Sequence, residues 1–157
     1  MKLWRIAAST RSYGATDLSG AGAAKEPGRW NTHGEFVVYS AQTAALAVLE
    51  TAAHVDSGGL PLNRFLVEID VPASVWNARR SLDVSKLDAS WASIPAGNES
   101  VKAGSAWLKS RSSALLLVPS VIVPEELAVL INPAHAHAAR ITAKVLRKFE
   151  YDLLFRR

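Results

Sequence analysis

The chain of 157 residues contains no cysteine. That absence excludes a disulfide framework, a thiolate metal site and a cysteine nucleophile. Long apolar runs are lacking as well. The longest near-apolar stretch, Ala114 to Pro124, has 11 residues and is broken by Pro119 and Ser120, whereas a membrane-spanning helix needs about 20. The opening Met1-Lys2-Leu3-Trp4-Arg5 has none of the apolar character of a secretory signal. No internal repeat and no low-complexity linker interrupts the chain. These absences predict a soluble cytoplasmic protein without a membrane partner.

With 49% hydrophobic and 20% charged residues, the composition is that of a folded globular chain. A length near 150 residues buries roughly two-thirds of the unfolded surface, so residues 1–157 are expected to form a single domain. The formal net charge is +4. From Arg140 onward there are six basic residues (Arg140, Lys144, Arg147, Lys148, Arg156, Arg157) against Glu150 and Asp152, so this segment carries 6 − 2 = +4 and the rest balances at zero. A basic end of this kind either is a solvated strand face or meets an acidic partner or a nucleic acid. No recognition-helix pattern and no aromatic platform accompanies the cations, so direct nucleic-acid binding is not expected to be the main role.

Hydrophobic period and turn residues predict strands at Leu3–Ala7, Phe36–Tyr39, Arg64–Val71, Ala114–Val118, Leu127–Ile131 and Arg140–Phe149, the last with one basic face. Residues 9–34 read as a long ordered loop with a helical turn at Thr16–Leu18, and loops of that length are usually functional. Ser40 is a plausible N-cap for a helix from Ala41 to about Val55, stopped by Ser57-Gly58-Gly59. A second helix is expected over Glu99–Ser110, burying Val101, Trp107 and Leu108, and residues 72–98 should be loops and short pieces. Strands scattered among fewer helices predict an α+β fold with mixed or antiparallel central sheets flanked by helices.

The strongest local signal is Gly28-Arg29-Trp30-Asn31-Thr32-His33-Gly34, followed by the strand ending at Tyr39 and the helix carrying Glu50. Successive elements usually neighbour one another, so an arginine, a phenol and a carboxylate can converge on one cleft. Such a group suits cleavage of an N-glycosidic bond. Arginine holds a phosphate, an aromatic ring packs on a planar base, and a carboxylate answers the positive charge of an oxocarbenium-like sugar. The plainer alternatives are a surface ion pair for Arg29, a satisfied core phenol for Tyr39 and a solvated helix face for Glu50. Glu50 stands out because residues 44–54 around it are almost wholly apolar, predicting a helix buried nearly all round, with His54 one turn on to hold the carboxylate.

Other candidates are weaker. Gly20-Ala21-Gly22 lacks the preceding strand and third glycine of a dinucleotide fingerprint. Ser120 follows an apolar strand but sits in no nucleophile elbow. His135 and His137 alone make a poor zinc site, so no metal is expected.

These residues resemble the RES-domain family, the toxin half of Xre–RES toxin–antitoxin pairs, and in particular its compact ParT-like members. The resemblance runs through Leu3-Trp4-Arg5, through Leu18-Ser19-Gly20-Ala21-Gly22-Ala23 to Gly28-Arg29-Trp30-Asn31 and Gly34, and through Val37-Val38-Tyr39-Ser40 and Ala44–Glu50. It continues in Leu117-Val118-Pro119-Ser120, in Leu130-Ile131-Asn132-Pro133-Ala134-His135 and in Phe149-Glu150-Tyr151-Asp152. It departs at Ala128, where many relatives carry an asparagine.

The resemblance implies an ADP-ribosyltransferase-like fold that takes NAD⁺ as substrate, without a metal, and breaks its nicotinamide–ribose bond. ADP-ribose then goes to water, phosphate or a protein, which in the ParT-like branch is phosphoribosyl-pyrophosphate synthetase. The family's Arg, Glu and Ser fall on Arg29, Glu50 and Ser120, with Arg5 as the alternative or second arginine and Ser112 as the fallback serine. Arg29 and Arg5 are expected to hold the diphosphate, Tyr39 to pack on nicotinamide, and Ser120 and Glu50 to address the ribose. Asn31 and Asn132 complete the implied NAD⁺ contacts. The implied partner is a DNA-binding Xre-type antitoxin covering the cleft. The competing class is a non-catalytic module whose basic C-terminal strand meets nucleic acid or an acidic protein.

Overall fold

The computed structural model describes residues 1–55 and 60–154. The expected helix stop at Ser57-Gly58-Gly59 and the cations Arg156 and Arg157 lie outside the described residues. In chain order the elements are β1 (Lys2–Ala8), α1 (Ala21–Lys25), β2 (Val38–Ala41), α2 (Ala44–Ala52), β3 (Arg64–Asp70), α3 (Ala73–Asn77), β4 (Arg80–Ser81), α4 (Asn98–Ser110), β5 (Leu115–Pro119), β6 (Leu127–Ile131) and β7 (Thr142–Phe149). The strands form one mixed sheet in the order β4-β5-β6-β2-β1-β3-β7, in which only β4 and β5 run parallel. The architecture is α+β, and the strands form one continuous sheet. Among the described residues no helix is long and apolar enough to cross a membrane.

Both faces of the sheet are covered, which explains the unbroken apolar run Leu115–Val118. On one face Leu3, Val67, Ile69, Leu115, Leu117, Val129 and Ile131 pack with Val75 of α3. On the other, Leu116, Val118 and Leu130 meet Trp107 and Leu108 of α4. Farther along that face Ile6, Leu66, Phe149 and Tyr151 meet Ala44, Val48 and Ala52 of α2. Gly104 brings α4 directly onto the long loop, because a Cβ there would lie 1.8 Å from the Trp30 carbonyl oxygen.

β1 and β2 pair at a single position, Trp4 opposite Ala41, whereas β1 and β3 stay in register from Lys2–Asp70 to Ala8–Arg64. The sheet therefore opens between β2 and β1, its fourth and fifth strands, and α2 follows directly on one lip of the opening.

Several boundaries differ from the sequence expectation. The long loop has its helical turn at Ala21–Lys25, after Gly20 adopts φ 78°, not at Thr16–Leu18. A Cβ at Gly20 would meet the Val37 nitrogen at 2.5 Å, so the bare backbone is needed there. The second strand starts at Val38, leaving Phe36 half-exposed. Ser40 is not a helix cap. Its hydroxyl donates across the sheet to the Val129 carbonyl at 2.7 Å, which holds it in β2, and Thr43 caps α2 by accepting from the Leu46 N–H at 3.1 Å. α2 accordingly spans Ala44–Ala52 rather than Ala41–Val55. In α4 Trp107 and Leu108 are buried as expected, and Val101 only partly.

Candidate active site

A cleft of about 180 Å³, open to solvent, occupies the gap where β1 and β2 part. Trp4, Arg5 and Ile6 line it from β1, Tyr39, Ser40 and Ala41 from β2, Ala47, Glu50 and Thr51 from α2, and Ala128 from β6. The chemistry is thus supplied by elements that meet only through the sheet order.

Glu50 is partly exposed, on a helix whose outward residues Ala45 and Leu49 face solvent. The helix is not buried all round, because its alanines cover the sheet on one side only. Nor does His54 hold the carboxylate. The exposed His54 ring places Nδ1 2.7 Å from the Glu50 backbone carbonyl, and since a carbonyl only accepts, Nδ1 carries the proton. The carboxylate is held instead by Ser120, whose Oγ donates to Glu50 Oε1 at 2.6 Å across 70 residues of sequence.

Ser120 is buried just past the end of β5. Its Oγ accepts the Ile122 N–H at 3.1 Å and the Val123 N–H at 3.0 Å. With two backbone donors on the oxygen, its single proton goes to Glu50. The turn is anchored further by the Ser120 N–H to the Glu126 carbonyl and by Thr43 Oγ1 donating to the Glu126 carboxylate. A cap residue of α2 and the loop carrying Ser120 are thereby tied together. The fallback Ser112 is exposed and bonded to Ser110.

Tyr39 presents its ring to the cleft and hides its hydroxyl. The phenol donates to Asn31 Oδ1 at 2.8 Å and accepts the Trp30 N–H at 3.0 Å. Burial raises its pKa well above the ordinary tyrosine value, partly offset by the Trp30 N–H and the Arg29 charge. Gly28 leaves just enough room, since a Cβ there would lie 2.7 Å from Tyr39 Cζ and Oη. The Asn31 side chain is fully engaged within the loop. It accepts from the Gly28 N–H and from Tyr39, and donates to the carbonyls of Ala23, Thr32 and Glu35.

The two arginines occupy different positions. Arg5 lines the cleft, makes one 3.3 Å bond from Nη1 to the Asp17 carbonyl, and has its pKa lowered by burial, opposed by the charges of Asp17 and Tyr13. No carboxylate pairs with it among the described residues. A desolvated cation of this kind is a ready anion site. Arg29 spends Nη1 on the Trp91 and Ser93 carbonyls at 2.8 and 2.9 Å, pinning the 89–95 segment, with Trp91 stacked 6.0 Å from Trp30. Burial lowers its pKa too, while Glu50 and Tyr39 act in the opposite direction. Asn132 lies just past the end of β6, four residues on from the cleft-lining Ala128, which is roughly 13 Å of extended chain. Its amide donates to the Leu108 carbonyl and its Oδ1 accepts the Ala134 N–H, closing the end of α4. His135 and His137 stack edge to face, and no metal-ligating cluster occurs among the described residues.

The family model for the RES domain matches residues 2–154. The chain belongs to the RES-domain family. A relative in Sphingobium sp. (strain YBL2), named Prs ADP-ribosylating toxin, is 54% identical over 149 residues, covering 95% of this chain and 92% of its own. Relatives named Toxin Res in Yersinia enterocolitica and Pseudomonas putida are 36% and 34% identical, covering 86% and 88% of this chain and the same shares of their own. A chain of the crystal structure of the M. tuberculosis MbcT–MbcA toxin–antitoxin complex superposes with TM-score 0.62 at 16% identity, over 93% of this chain and 84% of that one, and shares the fold.

Within this RES domain Trp4, Thr43, Glu126 and the Trp91–Ser93 carbonyls escaped the sequence reading. Only Trp4 left a signal there, as the residue before Arg5. The others act through backbone or through partners distant in sequence.

Proposed function

We propose that this RES domain is the toxin of a toxin–antitoxin pair and an ADP-ribosyltransferase that consumes NAD⁺ in the cytoplasm. The observation that carries the reading is the Glu50 carboxylate, fixed by Ser120 beside a desolvated Arg5 and a clamped Tyr39 ring in one cleft. The names of the relatives support the toxin role.

In this reading Arg5 holds the NAD⁺ diphosphate, with the remaining N–H groups of Arg29 as a second donor set, and the Tyr39 ring packs on nicotinamide. Glu50 stands by the ribose. The bond between the ribose anomeric carbon and the nicotinamide nitrogen breaks with its electron pair leaving on nicotinamide, which departs neutral. The anomeric carbon becomes cation-like, and the ionised Glu50 stabilises it more than it stabilises the bound substrate. An acceptor oxygen or nitrogen then bonds to that carbon and its proton passes to solvent. We take the acceptor to be a protein, and phosphoribosyl-pyrophosphate synthetase is the candidate that the name of the Sphingobium relative supports. Ser120 acts on Glu50 rather than on the ribose, because its only proton is already committed. Asn31 is a positioning residue for Tyr39, and Asn132 serves the fold. An Xre-type antitoxin occluding the cleft completes the proposal.

The test is nicotinamide release from NAD⁺, with and without phosphate and with purified phosphoribosyl-pyrophosphate synthetase, for the native protein and Glu50→Gln. The expected result is release that depends on the protein acceptor, labels it with ADP-ribose, and falls about 100- to 1,000-fold in kcat for the variant. Release independent of the acceptor would make the enzyme a glycohydrolase or, if phosphate stimulates it, a phosphorylase. Near-native turnover by Glu50→Gln would refute the role given to the carboxylate.

A further inference from the structure

β7 closes one edge of the sheet, paired with β3 on one side and, among the described residues, with no strand on the other. Its eight residues, Thr142-Ala143-Lys144-Val145-Leu146-Arg147-Lys148-Phe149, include three cations and no anion. An edge strand this long offers a row of backbone N–H and C=O groups that point away from the sheet. The strand is also unusually apolar for an open edge. Val145 and Leu146 are 43% and 44% exposed, and Leu60, Leu62 and Leu154, on the segments flanking the start of β3 and the end of β7, are 38%, 81% and 49% exposed. Half of the ten large hydrophobic side chains exposed among the described residues thus belong to this one edge and its flanks.

Charge decides which occupant fits. A second copy pairing β7 against β7 about a two-fold axis would bring Lys144, Arg147 and Lys148 of both copies within cross-strand distance, where like charges repel. An anionic strand meets no such obstacle. Lys144 already contacts Glu68 at 3.0 Å and Lys148 contacts Glu150 at 3.2 Å. Arg147 lies over the Phe149 ring and donates to a backbone carbonyl, and neither it nor Arg140 has an ion-pair partner among the described residues. The segment 140–154 keeps four cations against Glu150 and Asp152, 4 − 2 = +2.

We propose that β7 is a docking edge for an extended, acidic segment of a partner protein, which adds to the sheet as an eighth strand. Backbone hydrogen bonds to β7 supply the affinity, the exposed Val145 and Leu146 add apolar contact, and Arg147 and Lys148 select glutamate or aspartate over neutral strands. This edge lies across β3 and β1 from the cleft, so its occupancy does not depend on the reading of Glu50.

The experiment uses the full chain and a dye-labelled ten-residue peptide alternating glutamate with valine. Its controls are a peptide of the same charge with proline at alternate positions and a DNA duplex of similar length. Hydrogen exchange followed by mass spectrometry reads the amides of residues 142–149, and fluorescence anisotropy reads the affinity. The expected result is slowed exchange confined to β7 and its flanks, no binding of the proline peptide, and affinity weakened about tenfold or more in Arg147→Glu/Lys148→Glu. That double variant changes exposed side chains only, and its Tm is measured beside the native protein. Equal binding of the proline peptide would reduce the interaction to charge alone and overturn the proposal. So would protection of β7 by DNA but not by the peptide, or a free protein that sediments as a dimer with β7 already protected.

Discussion

Ser120 offers the sharpest test of how the site is held together. Ser120→Ala removes one hydroxyl and with it three hydrogen bonds: the 2.6 Å bond to Glu50 and the two accepted from Ile122 and Val123. A hydrogen bond to a charged group is worth about 1.5–3 kcal/mol. The two backbone N–H groups belong to a turn whose Ile122 faces solvent, so water replaces much of what they lose and each costs about 0.5–1 kcal/mol. The sum is about 2.5–5 kcal/mol, and for a chain of this size each kcal/mol lowers Tm by about 2–4 °C. A fall of roughly 5–20 °C is therefore expected.

The catalytic effect follows from what the hydroxyl does. It touches Glu50, and its lone pairs are taken by backbone, so its loss should loosen the carboxylate without removing a substrate contact. Nicotinamide release should then lose about 10- to 100-fold in kcat, which is roughly 1.4–2.8 kcal/mol of transition-state stabilisation, with KM changed less than threefold. Ser120→Thr keeps a donor at the same place and should recover most of the rate. The assay is steady-state nicotinamide release at a temperature well below the lowered Tm, so that unfolding does not enter. A Ser120→Ala enzyme with native kcat and a greatly raised KM would refute this reasoning and put the hydroxyl on the substrate.

Other expectations follow from contacts around the cleft. Gly28→Ala would place a methyl 2.7 Å from the Tyr39 ring. The ring must shift, and KM for NAD⁺ should rise about tenfold or more with a small change in Tm, as steady-state kinetics would show. Gly104→Ala would drive a methyl into the Trp30 carbonyl at 1.8 Å. The cost should be about 3 kcal/mol or more, read as a Tm lowered by at least about 6 °C. Tyr39 titrates above its ordinary value because it is buried, so its contribution to stability is complete below about pH 10, the unfolded value, and drains as pH rises beyond it. Urea midpoints between pH 9 and pH 11 should fall more steeply for the native protein than for Tyr39→Phe, which has no phenol to ionise.

What could be read from the sequence depended on how local the cause was. Leu127–Ile131 is a strand because its own residues are β-branched or aliphatic and both neighbours on the sheet bury them, and its predicted bounds match. Ser40 was misread because a serine before an alanine-rich stretch suits a helix cap as well as a strand. What keeps it in β2 is the Val129 carbonyl, 89 residues away. The apolar helix around Glu50 suggested burial on all sides, yet Leu49 is 45% exposed. Alanine covers little area, and a small domain has no second layer to close over such a helix. The pairing of Glu50 with Ser120 has no periodic signature, and the order of family motifs was the only route to it.

The two arginines illustrate the same limit and lead to a division of labour. Both occur beside aromatic residues in family-like motifs, so residue type alone leaves them interchangeable. Their hydrogen bonds distinguish them. Arg29 gives its Nη1 to two carbonyls of the 89–95 segment, and that segment carries Trp91 onto Trp30, whose own N–H holds the Tyr39 phenol. Its strongest ties therefore stabilise the wall that fixes Tyr39. Arg5 has a single long backbone bond and lies in the cleft itself, so its unspent donors and desolvated charge are the larger attraction for a diphosphate. In the proposed reading, diphosphate binding falls chiefly to the arginine of β1 and organisation of the wall to the arginine of the loop, beside a cleft opened by the failure of β1 and β2 to pair beyond Trp4 and Ala41.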